Sequence, residues 1–291
     1  MDFYPVPENA FSAAVDLAVV LRGLALKQLL KQQLLRALLL VDETISCSKI
    51  TPTAVDNIPL FRNKSYPIFY RSAIALTLAP HNSAILAQKI AQLLSSPNQT
   101  TNTEPEIRFQ AIALTNGWLE FHLGDRGLAM WLDNVPRLFS WERSKRGREK
   151  SNLWALQYVH ARCCSLLRLG QRERLLEIGE LSQIGWQWLA PYPIPWLRSD
   201  LEGLRLIAPV ERLLIQQLLD IVEAPTSVST AKLAENLSRA ILSFEQNCRI
   251  FAVIEQKPQL SQARLGLLAL AQFVLRQLLQ QGLQIEAPTG F

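Results

Sequence analysis

The stretch Asn152-Leu-Trp-Ala-Leu-Gln-Tyr-Val-His-Ala-Arg-Cys-Cys-Ser-Leu-Leu-Arg168 decides how the second half of this 291-residue chain is read. Apolar residues return at helical spacing through 153–169, and no proline interrupts them, so the segment predicts an amphipathic helix. Tyr158 and Arg162 stand four apart and share a face, with Gln157 and His160 on adjoining surfaces. The same period recurs over 210–222, 230–255 and 260–281, with loops at 224–229 and 256–259. Gly282 is placed to close the last helix and Pro288 to prevent its resumption. An all-α bundle is predicted for residues 151–291.

Upstream the patterning is mixed. Residues 10–41 are strongly apolar, but Asp16, Arg22, Lys27, Lys31 and Arg36 interrupt them too often for a bilayer span, which predicts one long amphipathic helix. A loop rich in Thr, Ser, Pro and Asn follows at 42–59, then a short extended piece at 67–69, helices at about 70–79 and 82–95, and a polar stretch at 96–105. Residues 107–114 and 118–123 alternate as strands do, and Thr115-Asn116-Gly117 between them signals a hairpin with a type I′ turn. The fold class is therefore α+β. A small mixed α/β domain occupies 1–135, a linker 136–150 and a helical bundle 151–291.

The helix at 152–168 and the segments Phe244-Glu-Gln-Asn-Cys-Arg-Ile250, Ala263-Arg-Leu265 and Ile285-Glu-Ala-Pro288 together resemble the anticodon-binding DALR domain of arginyl-tRNA synthetases. There a Gln-Tyr-x-His-Ala-Arg helix and a Phe-Tyr-x-x-Cys-x-Val helix recur at similar separation. Phe69–Leu78, Ile85–Ala91 and Thr115-Asn-Gly-Trp-Leu-Glu-Phe-His-Leu123 resemble the small N-terminal domain of the same family. The two resemblances cover roughly 65–135 and 150–291. They imply tRNA as partner. Carried over residue by residue, they imply RNA contacts at Asn116, Trp118 and Glu120 in the hairpin and at Gln157, Tyr158 and Arg162 in the helix. Two positions depart from the pattern. Glu120 replaces an amide and can accept but not donate a hydrogen bond, and Glu245 replaces the tyrosine of the Phe-Tyr motif.

The reaction of that family is not implied. Class I synthetases use a His-x-Gly-His turn and a Lys-Met-Ser-Lys loop, whereas no two of His81, His122 and His160 lie three apart and neither Met1 nor Met130 is flanked by lysine. Between the two resembling parts, where the family carries its nucleotide-binding catalytic domain, this chain offers about fifteen residues. GxSxG, GxxxxGK[ST] and HExxH are absent as well. A non-catalytic chain is expected.

Charge is concentrated. Residues 1–135 balance to zero and 151–291 to +1, while 136–150 carry Arg137, Arg143, Lys145, Arg146, Arg148 and Lys150 against Glu142 and Glu149, a balance of +4 within the total of +5. Local cation runs serve phosphate binding because each neutralised phosphate releases counterions. Arg143, Lys145, Arg146 and Arg148 are thus candidate RNA contacts, and a solvated interdomain hinge is the other reading. Cys47, Cys163, Cys164 and Cys248 lack C-x-x-C spacing and read as reduced, buried thiols, so no metal and no cofactor is implied. No charged n-region and apolar h-region open the chain, and a cytoplasmic location without membrane association is expected.

One segment has no counterpart in the resembling family. Ile184-Gly-Trp-Gln-Trp-Leu-Ala-Pro-Tyr-Pro-Ile-Pro-Trp-Leu197 reads as an inserted aromatic, proline-rich loop. Exposed, its Trp186, Trp188 and Trp196 would form a protein-partner site; folded back, they would join the core. Three functions remain open: a non-catalytic tRNA-binding protein, a protein-interaction scaffold reusing the fold, or an accessory subunit of a synthetase.

Overall fold

A computed structural model describes residues 14–20, 25–42, 57–94, 106–139, 153–182, 185–199, 203–225 and 227–290. Two compact units divide the chain, Met1–Met130 and Trp131–Phe291.

The first unit is built on an antiparallel five-stranded sheet of β1 (Ala14–Val20), β2 (Leu60–Arg62), β3 (Phe69–Ser72), β4 (Glu106–Ala113) and β5 (Leu119–Leu123), in the order β1-β4-β5-β3-β2. Its helices are α1 (Leu26–Asp42), α2 (Ile74–Leu78) and α3 (Ser83–Leu94). Leu26, Leu30, Leu34, Leu38 and Val41 recur at helical spacing and bury one face of α1, while α3 buries Leu86, Ala87, Ile90, Ala91 and Leu94. In the strands the period is two. Tyr70 and Ser72 are buried between exposed or half-buried Phe69 and Arg71, and Phe109 and Ala111 between exposed Arg108 and Gln110.

The long helix expected over 10–41 is two elements. Val15, Val19 and Val20 are β-branched and stiff at χ1, which suits the pleated strand β1. Gly23 lies in the sequence between that strand and α1. The β4–β5 hairpin forms where expected, but its turn differs. Gly117 N donates to Leu114 O at 2.9 Å, Leu114 N donates to Trp118 O at 2.8 Å, and among the turn residues only Gly117 has a positive φ, +84°. This is a three-residue loop with glycine in the left-handed position, not a two-residue type I′ turn. A Cβ at Gly117 would also lie 2.4 Å from Ser83 Oγ.

A helix α4 (Asp125–Leu138) runs across the boundary residue between the units. In the second unit, α5 (Leu153–Arg172) is followed by a hairpin of β6 (Glu177–Ser182) and β7 (Gly185–Ala190), then α6 (Pro209–Val222), α7 (Thr230–Asn247), α8 (Pro258–Gln277) and a π-helical turn, Leu278–Leu283. Three corrections to the expected bundle follow. The aromatic segment is in part a β-hairpin, so this half is not all-α. Helix α7 stops at Asn247 instead of 255, because Cys248 turns extended (φ −100°, ψ 112°) and enters the core with Ile250. The last helix ends at Gln284 with φ +58°, not at Gly282.

Packing is closest where glycine allows it. A Cβ at Gly170 of α5 would lie 2.8 Å from Leu265 of α8, and one at Gly266 would lie 2.8 Å from Ile194 and 2.9 Å from Trp196. Two of the segments quoted above for their family resemblance, 244–250 and 263–265, meet α6 at a buried ion pair. Glu211, 0% exposed, accepts from Ala208 N at 2.8 Å at the start of α6 and from Arg264 Nε of α8 at 2.7 Å. Arg264 Nη1 donates onward to Arg249 O at 3.1 Å, and Cys248 Sγ lies 3.8 Å from Glu211. Burial pushes the Cys248 thiol up to about 11, and the neighbouring Glu211 carboxylate reinforces the rise. Because Glu211 has no route to solvent, Arg264→Met should cost about 3–5 kcal/mol by urea unfolding. Adding Glu211→Gln should recover part of that loss; a single variant costing under about 1 kcal/mol would contradict the buried pair.

Candidate functional site

Helix α5 has two unlike faces. One buries Leu156, Val159, His160, Cys163, Cys164, Leu167 and Gly170. The other carries Trp154, 63% exposed, and Tyr158, 44% exposed, four residues apart and stacked with ring centroids 5.6 Å apart at 17°. Trp154 was not among the residues singled out from sequence, although its i−4 spacing to Tyr158 is the same relation that pointed to Arg162. Further along the helix, exposed Ser165, Arg168, Gln171 and Arg172 line an open groove of about 630 Å³. From Trp154 to Arg172 the helix extends about 27 Å.

Arg162 is engaged within the protein. Its Nε donates to Glu245 Oε1 at 2.7 Å and its Nη2 approaches the same oxygen at 2.6 Å. Glu245, the departure from the aromatic pattern, therefore serves as the acceptor of an α5–α7 ion pair. Gln157 is likewise occupied, donating from Nε2 to Glu286 O at 2.9 Å. Together with Arg168 Nη1 donating to Thr289 O at 2.6 Å, it straps the segment 286–289 onto α5.

His160 completes that strap from inside. It is 0% exposed, its Nδ1 donates to Pro288 O at 2.8 Å, and its Nε2 accepts from Gln272 Nε2 of α8 at 2.6 Å. Those partners select the neutral ring with the proton on Nδ1. Burial lowers its pKa to about 4, against the raising effect of the Pro288 carbonyl. His160 is thus an internal joint, not a surface contact. Next to it, desolvation pushes the Cys164 thiol up to about 11, and buried Cys163 is also raised. Cys163, Cys164 and Cys248 are free and buried; Cys47 lies outside the described residues.

The second set of expected contacts lies on the first unit's sheet. Cross-strand register places Phe69 opposite His122 and Arg71 opposite Glu120. Arg71 Nε donates to Glu120 Oε1 at 2.9 Å, with Nη2 on the same oxygen, and His122 Nε2 contacts Oε2 at 2.8 Å. The His122 hydrogen bond holds the Glu120 carboxyl below its usual range, opposed by burial and assisted by Arg71. Glu120 is only 8% exposed and spoken for on both oxygens. It therefore does not present a bare carboxylate. The Arg71 guanidinium sits 5.5 Å from the Phe69 ring and 5.8 Å from the Trp118 ring, and Phe69 stacks on His122 at 5.1 Å. Phe61, opposite Arg71 on β2, is 60% exposed. Asn116 is exposed, and its Oδ1 accepts from Trp118 N at 3.3 Å. Phe61, Phe69, Arg71 and His122 escaped notice in the sequence because cross-strand register is visible only once β2, β3 and β5 are paired.

The remaining candidates divide. Arg143, Lys145, Arg146 and Arg148 lie outside the described residues, as does the side chain of Trp186. Trp188 is half-buried and donates from Nε1 to Pro191 O at 2.8 Å. Of the two readings for Trp196, partner contact or core, burial excludes the first: the residue is 2% exposed, its Nε1 donates to Asp133 Oδ1 at 2.6 Å and its ring lies against Gly266. It belongs to the core. Burial raises the Asp133 carboxyl, with the Trp196 bond opposing. Among the described large apolar residues of that segment, Tyr192 is 84% and Leu189 42% exposed. Among the described residues no cluster of His, Cys, Asp and Glu could hold a metal, and no helix is long and apolar enough to cross a membrane.

Comparison with known proteins gives one partial relation. Over 133 residues the chain is 33% identical to an arginine–tRNA ligase of Synechococcus sp. (strain JA-3-3Ab), covering 46% of this chain and 21% of that ligase. The chain thus spans about a fifth of that relative's length and is related to it over part of its own. No family model matches, and no solved structure matches.

The buried neutral His160 generates a pH signature. Between pH 6.5 and about 4 the unfolded chain binds a proton there that the folded chain refuses, so stability falls as pH drops through this window. The full loss is roughly 3 kcal/mol. Urea unfolding at pH 7 and pH 4.5 should differ by roughly 2–3 kcal/mol more in the wild type than in His160→Gln. Equal differences in the two proteins would contradict the assignment.

Proposed function

We propose that the protein is a non-catalytic tRNA-binding protein related to arginyl-tRNA synthetases, which holds unpaired bases against the outer face of α5. The observation that carries this reading is the stacked, exposed pair Trp154–Tyr158. A large aromatic normally leaves water, and two of them stacked in the open provide a surface on which a base can add to the stack. In this reading 151–291 is an anticodon-binding domain of the DALR type, 1–135 a second RNA-facing domain, and 136–150 the basic connection between them. Trp118 and Arg71 on the sheet would supply the second contact, with Asn116 at the rim.

Several features support it. The partial identity to an arginine–tRNA ligase supports tRNA as the ligand class. The sequence holds neither the His-x-Gly-His nor the Lys-Met-Ser-Lys motif, so nothing in it would bind ATP in the way that family does. Ion pairing of Glu120 and Glu245 removes the repulsion that either carboxylate would otherwise direct at phosphate. A second reading, a protein-interaction scaffold or accessory subunit, rests on the exposed Leu189 of β7 and Tyr192 just beyond it.

Labelled unfractionated tRNA should be retarded by the protein at low salt and released as salt rises, with no aminoacylation by the chain alone. Stacking contributes about 1–3 kcal/mol per base, so Trp154→Ala with Tyr158→Ala should weaken binding about tenfold or more, while Tyr158→Phe retains it. If neither unfractionated nor arginine tRNA binds at low salt, the reading is wrong.

A further inference from the structure

We infer that Arg162 and Glu245 together read the edge of an unpaired RNA base stacked on Tyr158, the carboxylate accepting a hydrogen bond from the base and the guanidinium donating one to it; this rests on the tRNA-binding reading. The row of side chains along the outer face of α5 leads to this pair. Trp154 and Tyr158 stack with ring centroids 5.6 Å apart. That is close to the roughly 6 Å that four residues rise along a helix, so the stack runs parallel to the helix axis. Arg162 is the next residue in the same i, i+4 row. A base added to the Tyr158 end of the stack therefore lies over Arg162 and Glu245.

The ion pair keeps hydrogen-bonding capacity in reserve. Arg162 Nε and Nη2 converge on one oxygen of Glu245, Oε1, at 2.7 and 2.6 Å. Among the described residues, Arg162 Nη1 and Glu245 Oε2 have no partner. The two side chains are 47% and 20% exposed, so both meet solvent. Each group is also held by the other, which lowers the side-chain entropy lost when a ligand binds.

Chemistry selects the group that seats there. A phosphate is anionic and offers acceptors only, so the second oxygen of Glu245 repels it. A base edge carries an N–H donor beside a carbonyl or ring-nitrogen acceptor, the complement of a carboxylate beside a guanidinium. In a duplex the Watson–Crick edge is already paired, so the site takes bases from loops. The carboxylate that a purely electrostatic RNA surface would exclude thereby selects for unpaired bases.

The test measures the affinity of Glu245→Gln and Arg162→Lys for unfractionated tRNA across a salt series. Dimethyl sulfate and carbodiimide, which mark exposed Watson–Crick edges, then probe the bound RNA. Glu245→Gln still offers Arg162 an acceptor but loses the second one, and Arg162→Lys keeps the charge but not the fork. Thermal unfolding of each variant establishes that it folds. Each substitution should weaken binding about five- to tenfold. Arg162→Lys should leave the slope of log K against log salt unchanged, because the number of cations is the same. The wild type should shield an unpaired base that Glu245→Gln leaves reactive. A carboxylate that merely braced α7 against α5 would, once neutral, leave tRNA binding unchanged or tighten it, since one negative charge fewer faces the RNA. That result, with the same bases shielded and tRNA still lost on Trp154→Ala with Tyr158→Ala, overturns this inference alone. Failure of the wild type to bind tRNA at low salt overturns the reading beneath it.

Discussion

Burial of one face of α5 against α8 is the constraint from which the rest of the second unit follows. His160 cannot be solvated there, so it is held neutral between the Gln272 amide and the Pro288 carbonyl, and that pairing fixes where the segment 286–289 must lie. Gly170 lets the helices approach to where a methyl group would collide with Leu265. With one face committed, the opposite face is held in a single orientation. The exposed rings of Trp154 and Tyr158 and the groove lined by Arg168 and Arg172 therefore share one helix.

The two acidic departures from the synthetase pattern obey one physical rule. Glu120 has recruited Arg71 and His122, and Glu245 has recruited Arg162. Each carboxylate is satisfied inside the protein, at the expense of a cation that would otherwise face outward. On the sheet the consequence is mild, because Arg71 remains 46% exposed beside Phe69 and Trp118. On α5 the outcome is the same: Arg162, paired with Glu245, remains 47% exposed.

The legibility of this fold in the sequence varies with the kind of signal. Helices α5, α6 and α8 were readable because their apolar residues keep a strict helical period, and the β4–β5 hairpin because alternation flanks a glycine turn. The strand β1 was hidden inside an apolar run whose following segment is helical, and local composition cannot divide two apolar elements when no proline stands between them. The β6–β7 hairpin was hidden by its aromatic and proline content, which describes loops and short strands equally. Individual site residues were harder still. Whether Arg162, Gln157 or Trp196 faces water depends on Glu245, Glu286 and Asp133, partners between 63 and 129 positions away in the chain.

Ultraviolet cross-linking of the intact protein to unfractionated tRNA, followed by mass spectrometry of the cross-linked peptides, tests the central claim most directly. The account predicts adducts on the α5 peptide at Trp154 or Tyr158, diminishing as salt is raised. Adducts absent at low salt, or confined to the β6–β7 hairpin and Tyr192, would contradict it.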